Sequence, residues 1–252
     1  MVQLQELVRY TNSFLQTNSF SDYCPNGLQV EGRETIHRIV TGVSASLALL
    51  EVAYAKQVDA ILVHHGYFWK NENPCVTGTK RTRLELLLKN DISLFAYHLP
   101  LDMHPEVGNN FQLGRLLGIH SDGLLQSSDR ITCGSHGHFD EPVQAETLKY
   151  LIDTKLQRSC IHVDAGPEKI STVGWCTGAG QKFIELAIEK HLDAYISGEI
   201  SEPTAHLARE AGIHYFAAGH HATERYGIQA LGKHLMQKFD LTHEFVDIDN
   251  PA

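Results

Sequence analysis

Three short stretches of this sequence put imidazole and carboxylate groups where metal or proton chemistry would need them. DAILVHHG carries the tandem His64-His65, HLPLD carries His98 with Asp102 four residues on, and GHHATE carries His220-His221 with Glu224 four residues after His220. Histidine is abundant, 16 in 252 residues, and it is both the commonest metal ligand and the natural proton handler near neutral pH. Taken singly, each of these histidines reads as a polar residue satisfied by a hydrogen bond. Taken together, His64, His65, His98, Asp102, His220 and Glu224 make the mixed nitrogen and oxygen donor set that holds divalent transition ions. Neighbouring side chains of an extended chain point to opposite faces, so the tandem pair is expected to serve two ions rather than chelate one. That spacing points to a dinuclear centre.

The elements that must position these groups are legible in the apolar pattern. Helical spacing covers 3–17, followed by a turn-rich loop over 21–32. A strand at 36–43, a helix at 46–57 and a strand at 59–63 lead to the tandem histidines. A helix at 82–90 and a strand at 92–97 lead to His98, and 107–118 is helical. Beyond a less legible stretch at 120–140 come a helix at 143–156, strands at 160–163 and 170–176, and a helix at 179–190. The strand at 193–197, helix at 202–211 and strand at 214–218 lead to His220. A helix at 223–238 and a strand at 243–248 close the chain. Strands alternating with helices predict an α/β protein with largely parallel sheets, and the histidines then fall at carboxyl ends of strands, where such sheets bind ligands. Pro100 is expected to keep the loop between His98 and Asp102 out of a helix, and a helix starting at Thr223 would put Glu224 in its first turn.

A weak repeat runs through the pattern. Ile36 to Asp59 and Ile170 to Asp193 span the same 23 residues, and DAILVHHG answers DAYISGEI. Two similar α/β halves are expected, 1–125 and 126–252, with part of the C-terminal segment able to pack back on the first half.

Composition limits the partners. The net charge of −9 argues against a general electrostatic grip on nucleic acid. The first residues show neither the basic nor the apolar region of a signal peptide, and no apolar run reaches membrane-spanning length. Cys24, Cys75, Cys133, Cys160 and Cys176 are scattered and odd in number, which suits reduced thiols in a cytoplasm.

Other motifs carry paired readings. The glycine-rich WCTGAGQKF (175–183) is a tight strand-to-helix turn or a phosphate cradle. Ser197 and Glu199 stand at the strand tip matching His64-His65 in the repeat. Glu199 is a candidate general base or a helix cap, and His221 a candidate proton-transfer group. Tyr67, Phe68 and Trp69 are a stacking wall for a base or buried contacts. KRTR (80–83) attracts phosphate or opens a helix. His136 and His138 alternate on a possible strand and stay unassigned.

Several long stretches, SDYCPNGLQVEG, DAILVHHGYFWK, AYHLPLDMHPEVGNN, SGEISE and GHHATERYGI, together resemble the NIF-three-like proteins with a dinuclear metal centre, also described as GTP cyclohydrolase 1 type 2 homologs. The likeness covers nearly the whole chain and is to the short bacterial members. It implies two metals held by His64, His65, Asp102, His220 and Glu224, with His98 at or beside the site and Glu224 bridging both ions. It further implies two similar α/β domains with the site in the cleft between them, and ring-shaped hexamers. The implied function is a metal-dependent hydrolase acting on a nucleotide-like or phosphorylated small molecule, through two divalent ions drawn from iron, manganese, zinc or nickel. The rival expectation is a non-catalytic, metal-stabilised interaction ring. Vacant coordination positions favour catalysis, because five or six protein ligands do not close two ions.

Overall fold

The computed structural model describes residues 1–127 and 132–252. Up to the middle of the chain the strands are β1 (Val2–Gln3), β2 (Gly27–Val30), β3 (Thr35–Ile36), β4 (Arg38–Ser44), β5 (Ala60–His65) and β6 (Ser93–Ala96). Then follow β7 (His120–Ser127), β8 (Thr132–Gln144), β9 (Ile161–Val163), β10 (Lys169–Cys176), β11 (Ala194–Ser197), β12 (His214–Ala217) and β13 (Thr242–Phe245). The early helices are α1 (Leu4–Phe14), α2 (Leu47–Ala55), α3 (Gly78–Lys89), α4 (Leu99–Asp102) and α5 (Asn109–Leu116). The later ones are α6 (Ala145–Leu156), α7 (Ile184–Glu189), α8 (Glu202–Ala211), α9 (His220–Thr223) and α10 (Arg225–Phe239). No helix among the described residues is long and apolar enough to cross a membrane.

Two units form. One comprises Met1–Val107 with Gly227–Asp249, the other Gly108–Tyr226 with Asn250–Ala252. The division therefore falls before α5 rather than at 125/126. Leu113 of α5 and Leu117 just after it are buried in the second unit's core with Trp175. Trp175 Nε1 donates to the Asn110 carbonyl at 2.8 Å, and the missing side chain of Gly114 makes room for the indole. The C-terminal segment returns to the first unit: Ile228, Leu231 and Leu235 of α10 join its core, and β13 pairs in parallel with β4.

The first unit's sheet has the order β13-β4-β5-β6-β2, parallel except for β2 on β6. The two-residue period of β5 sends Ala60 and Leu62 into a core shared with Leu4 and Leu7 of α1, and Ile61 and Val63 into one shared with Leu49 and Leu50 of α2. Burial on both faces explains the unbroken apolar run; each Leu or Ile so buried contributes roughly 1.5–3 kcal/mol. Ser46 starts α2 by accepting the Leu49 amide on its hydroxyl. The second unit's sheet, β7-β8-β10-β11-β12-β9, is mixed, with β10, β11 and β12 parallel.

The repeat is present as matched hydrogen bonding. Asp59 Oδ2 accepts the amides of His37 and Arg38 at 2.7 and 2.9 Å. Asp193 Oδ2 accepts those of Ser171 and Thr172 at 2.8 and 2.9 Å. In both units an Asp just before a central strand accepts two amides of its neighbour, at the start of β4 and, within β10, where the pairing with β11 begins. Asp59 also meets Arg33 Nη1 at 2.9 Å.

Several elements depart from the sequence reading. The loop at 21–32 contains β2, an edge strand whose bulged register on β6 hides its periodicity. The stretch 120–140 holds the antiparallel pair β7 and β8, apart from 128–131, which lie outside the described residues. Leu99–Asp102 is a helical turn after all, because Pro100 sits in its first turn, where no amide donor is needed. Helical structure begins at His220, not Thr223, and Glu224 lies at the junction of α9 and α10.

Replacing Asp59 by Ala is expected to destabilise the metal-free protein by about 2–3 kcal/mol, since it strands two backbone donors and removes the ion pair with Arg33. Urea unfolding would measure it, and a loss below about 0.5 kcal/mol, the range of neutral surface changes, would contradict the assigned role.

Candidate metal centre

In the first unit β5 and β6 end side by side, and each histidine at their tips is held by one ring nitrogen. His64 is fully buried, and its Nδ1 lies 2.8 Å from the Tyr97 carbonyl. A carbonyl only accepts, so Nδ1 carries a proton, and in the neutral ring the lone pair is then on Nε2, 3.5 Å from Asp102 Oδ1. His65 Nδ1 is 3.1 Å from the Ser44 hydroxyl on β4. His98 Nδ1 donates to Asp22 Oδ1 at 2.7 Å.

Asp22 is itself fixed by the Leu99 amide, the Asn26 side chain and the Tyr23 amide. Burial works to raise its pKa, but His98, then Asn26 and the Tyr23 amide, outweigh it and bring the carboxyl to about 2. Much of the turn-rich SDYCPNG stretch thus orients His98. Asn26 completes it by accepting the His98 amide at 2.7 Å. Asp22, Asn26 and Ser44 are not singled out as functional residues by the sequence; Asp22 and Asn26 lie in the family-like stretch SDYCPNG, and Ser44 carries no such signal.

The tandem pair behaves differently from an ideal extended dipeptide. The ring centroids of His64 and His65 are 4.5 Å apart, and nitrogens of His64, His65 and His98 lie within 4.8 Å of one another. His64 is tethered towards β6 and His65 towards β4, at the point where the strand gives way to Gly66, so the rings gather at the strand end instead of diverging. The tandem alone therefore does not require two ions. Cys24 lies near Asp22 and a His98 nitrogen, but burial, then the charge of Asp22, raises its thiol to about 12, which keeps it protonated.

In the second unit, β12 ends at Ala217 and Gly219, at φ +95°, turns the chain into α9. His220 Nδ1 donates to Glu199 Oε1 at 2.7 Å, and its Nε2 lies 3.2 Å from Glu224 Oε2. Glu199 Oε2 accepts from Gln181 at 3.3 Å, so Glu199 positions His220. Glu224 is 3% exposed. A Cβ on Gly178, at φ +63°, would stand 2.1 Å from the Glu224 carboxylate. The Gly178 amide donates to the Thr223 hydroxyl at 3.0 Å and its carbonyl accepts the Gly198 amide at 2.9 Å. The glycine turn is therefore a tight βα turn that makes room for Glu224. Burial alone would lower the pKa of His220; the hydrogen bonds and charges of Glu224, then Glu199, overcome it and raise it to about 9. His221 is buried in α9 beside it.

The donor chemistry on each unit suits a metal ion: His64, His65 and His98 converge on the first, and His220 and Glu224 lie together on the second. All four histidines have Nδ1 tied to an oxygen, which leaves Nε2 as the coordinating nitrogen. Carbonyl, hydroxyl and carboxylate partners of this kind orient metal-bound imidazoles and raise their basicity. The field that holds a proton on His220 is one that favours a cation. Of the three aromatics after His65, Tyr67 is core, its hydroxyl bonded to the Ala45 carbonyl, and Phe68 lies under Lys80. Trp69 alone faces the histidines, 5.1 Å from the His98 ring and 6.0 Å from His65. KRTR lies in the first turns of α3, with Lys80 paired to Glu72. His136 and His138 stand on β8, bonded to the Gly123 carbonyl and to Asp122.

Comparison with known proteins places the whole chain among relatives. The family model Duf34/NIF3 (NGG1p interacting factor 3) matches residues 2–251. The chain is 52% identical to the GTP cyclohydrolase 1 type 2 homologs of Vibrio cholerae and of Pseudomonas aeruginosa, covering 100% of this chain and 99% of each relative. Among solved structures it is similar to protein ybgI, of unknown function, with TM-score 0.96 and 50% identity over all of both chains. It is also similar to TTHA1606 from Thermus thermophilus, with TM-score 0.90 and 31% identity, again over 100% of both chains.

Glu199→Gln and Asp22→Asn are each expected to weaken metal binding by about 10–100-fold while leaving the fold intact, as loss of a ligand-orienting partner does. Competition with a chelator measures this, and unchanged affinity in both would contradict the positioning role. In the metal-free protein the raised pKa of His220 means that its ion pairing stabilises fully below the ordinary value of 6.5 and is lost as pH rises through about 9. The thermal midpoint of wild type should therefore exceed that of His220→Gln most below pH 6.5, with the gap closing above about 9; a gap that widens with pH would refute it.

Proposed function

Because the chain belongs to the Duf34/NIF3 family, we propose that it is a dinuclear metal-dependent hydrolase acting on a nucleotide-like or phosphorylated small molecule. The observation that supports this best is the shared anchoring of His64, His65, His98 and His220 through Nδ1. That the relatives are named GTP cyclohydrolase 1 type 2 homologs supports the nucleotide side of the reading. His64, His65, Asp102, His220 and Glu224 would hold the ions, with His98 at or beside the site. That both sets of residues serve the same pair of ions rests on the family resemblance, as does assembly into a homohexameric ring.

When bound, two divalent cations supply Lewis acidity towards a phosphoryl or carbonyl oxygen and lower the pKa of water. The chain's own residues do the rest. Asp22 and Glu199 fix the rings of His98 and His220, so that little reorganisation is needed as charge develops. Trp69 offers an aromatic surface beside His65 and His98 against which a base can stack. His221 is a proton-transfer candidate next to the ligands, and Lys70, exposed just beyond Trp69, suits a phosphate group.

Protein purified without chelator is expected to lose its transition-metal ions from this centre in His64→Ala and in Glu224→Gln. Wild type should hydrolyse at least one member of a panel of nucleotides and phosphoesters, and each variant should lose more than about 100-fold of that rate, the scale of a missing electrostatic group. Metal content unchanged in both variants would overturn the assignment of the site. Bound metal without turnover of any panel member would leave the non-catalytic ring as the better account.

A further inference from the structure

We propose that His162, His214 and Asp164 form a separate mononuclear site for a divalent transition cation, at the end of β12 opposite His220. The edge strand β9 pairs antiparallel with β12, with His162 opposite Phe216. His162 and Phe216 stack flat, with centroids 4.3 Å apart and planes 3° from parallel. The pleat puts His214 on the same face of β12 as Phe216, which brings the two imidazoles together.

The hydrogen bonds decide which atoms are available. His214 is 2% exposed, and its Nε2 donates to the Pro167 carbonyl at 2.8 Å. Since a carbonyl only accepts, the lone pair of the neutral ring is on Nδ1. Two groups converge on that nitrogen, His162 Nε2 at 3.2 Å and Asp164 Oδ1 at 3.3 Å. With His214 neutral, a proton on His162 Nε2 would satisfy its Nδ1 but leave the carboxylate facing a lone pair. A divalent cation takes electron pairs from all three, and one ligand atom from each lies within 4.8 Å of the others.

The backbone is shaped for this approach. A Cβ on Gly166 would stand 2.4 Å from His214 Cδ2 and 2.7 Å from its backbone nitrogen. Only glycine lets the loop from Asp164 to Pro167 close on the ring, and that loop delivers both the carboxylate and the orienting carbonyl. The logic is that of His64 with the nitrogens exchanged: a carbonyl fixes one, and the other coordinates. Two imidazole nitrogens and one carboxylate oxygen suit zinc, cobalt, nickel or copper(II) better than magnesium or calcium. The Asp164 side chain is 71% exposed, so an ion can enter from solvent, and three protein ligands leave room for a water or an exogenous group.

The test uses the full chain carrying His64→Ala and Glu224→Gln, stripped with chelator and titrated with Co²⁺ by calorimetry and visible absorption. One equivalent is expected to bind with ligand-field bands of a nitrogen and oxygen site. Adding His162→Gln or Asp164→Asn should weaken that equivalent by more than about tenfold. Asp164 is exposed, so its substitution should leave the circular dichroism spectrum unchanged. Absence of the equivalent in the starting variant, or affinity unmoved by Asp164→Asn, would overturn the proposal. Because the starting variant lacks ligands of the other centre, its outcome is independent of whether that centre is catalytic.

Discussion

The hydrogen bond from His64 Nδ1 to the Tyr97 carbonyl, 2.8 Å long and fully buried, decides which nitrogen of that imidazole keeps its lone pair. An imidazole has two usable nitrogens and two ring faces, and a free one would sample several orientations before it met an ion. Tying Nδ1 to an acceptor fixes the tautomer and aims Nε2. The same device serves His98 through Asp22 and His220 through Glu199, with the Ser44 hydroxyl beside His65. Much of the surrounding structure exists to present those partners. β6 must end where the Tyr97 carbonyl meets His64, β4 must extend to Ser44, and the turn after residue 20 must fold over His98.

That arrangement depends on sheets whose strands are locked in register. Apolar residues on both faces of β5 make any one-residue slip costly, because a slip would exchange its two cores. Asp59 and Asp193 add a second lock in equivalent places, each accepting two amides of the neighbouring strand where the pairing begins. With the strand starts fixed, the ends are fixed too, and the histidines stand at those ends. The two units share this plan but not its chemistry: at the tip where the first has His64-His65, the second has Gly198-Glu199, and the glutamate orients an imidazole rather than acting as one. At matched strand tips one unit carries a histidine pair and the other a carboxylate that holds an imidazole.

Much of this was legible in the residues. Alternating helices and strands, the repeat, and the placing of histidines at strand ends all follow from apolar periodicity and turn chemistry. What escaped did so for physical reasons. β2 is a bulged edge strand inside a turn-rich stretch, and Pro100, which reads as a helix breaker, is harmless in a first turn. The unit boundary was set by Asn110 and Gly114 meeting Trp175, a tertiary contact without local pattern. The orienting partners were hardest to see. A backbone carbonyl such as that of Tyr97 has no signature in sequence, and Asp22 lies 76 residues from the histidine it holds. Glu199 was noticed for the right reason, a carboxylate at a strand tip, yet the structure gives it an imidazole to hold.

The most direct measurement is the nitrogen spectrum of the histidine side chains, recorded by ¹⁵N NMR on metal-free protein and again after metal is added. Neutral His64 is expected to carry its proton on Nδ1, and on metal addition the resonance that moves should be Nε2. A proton on Nε2 of His64 in the metal-free protein, or an Nε2 resonance indifferent to metal, would contradict this.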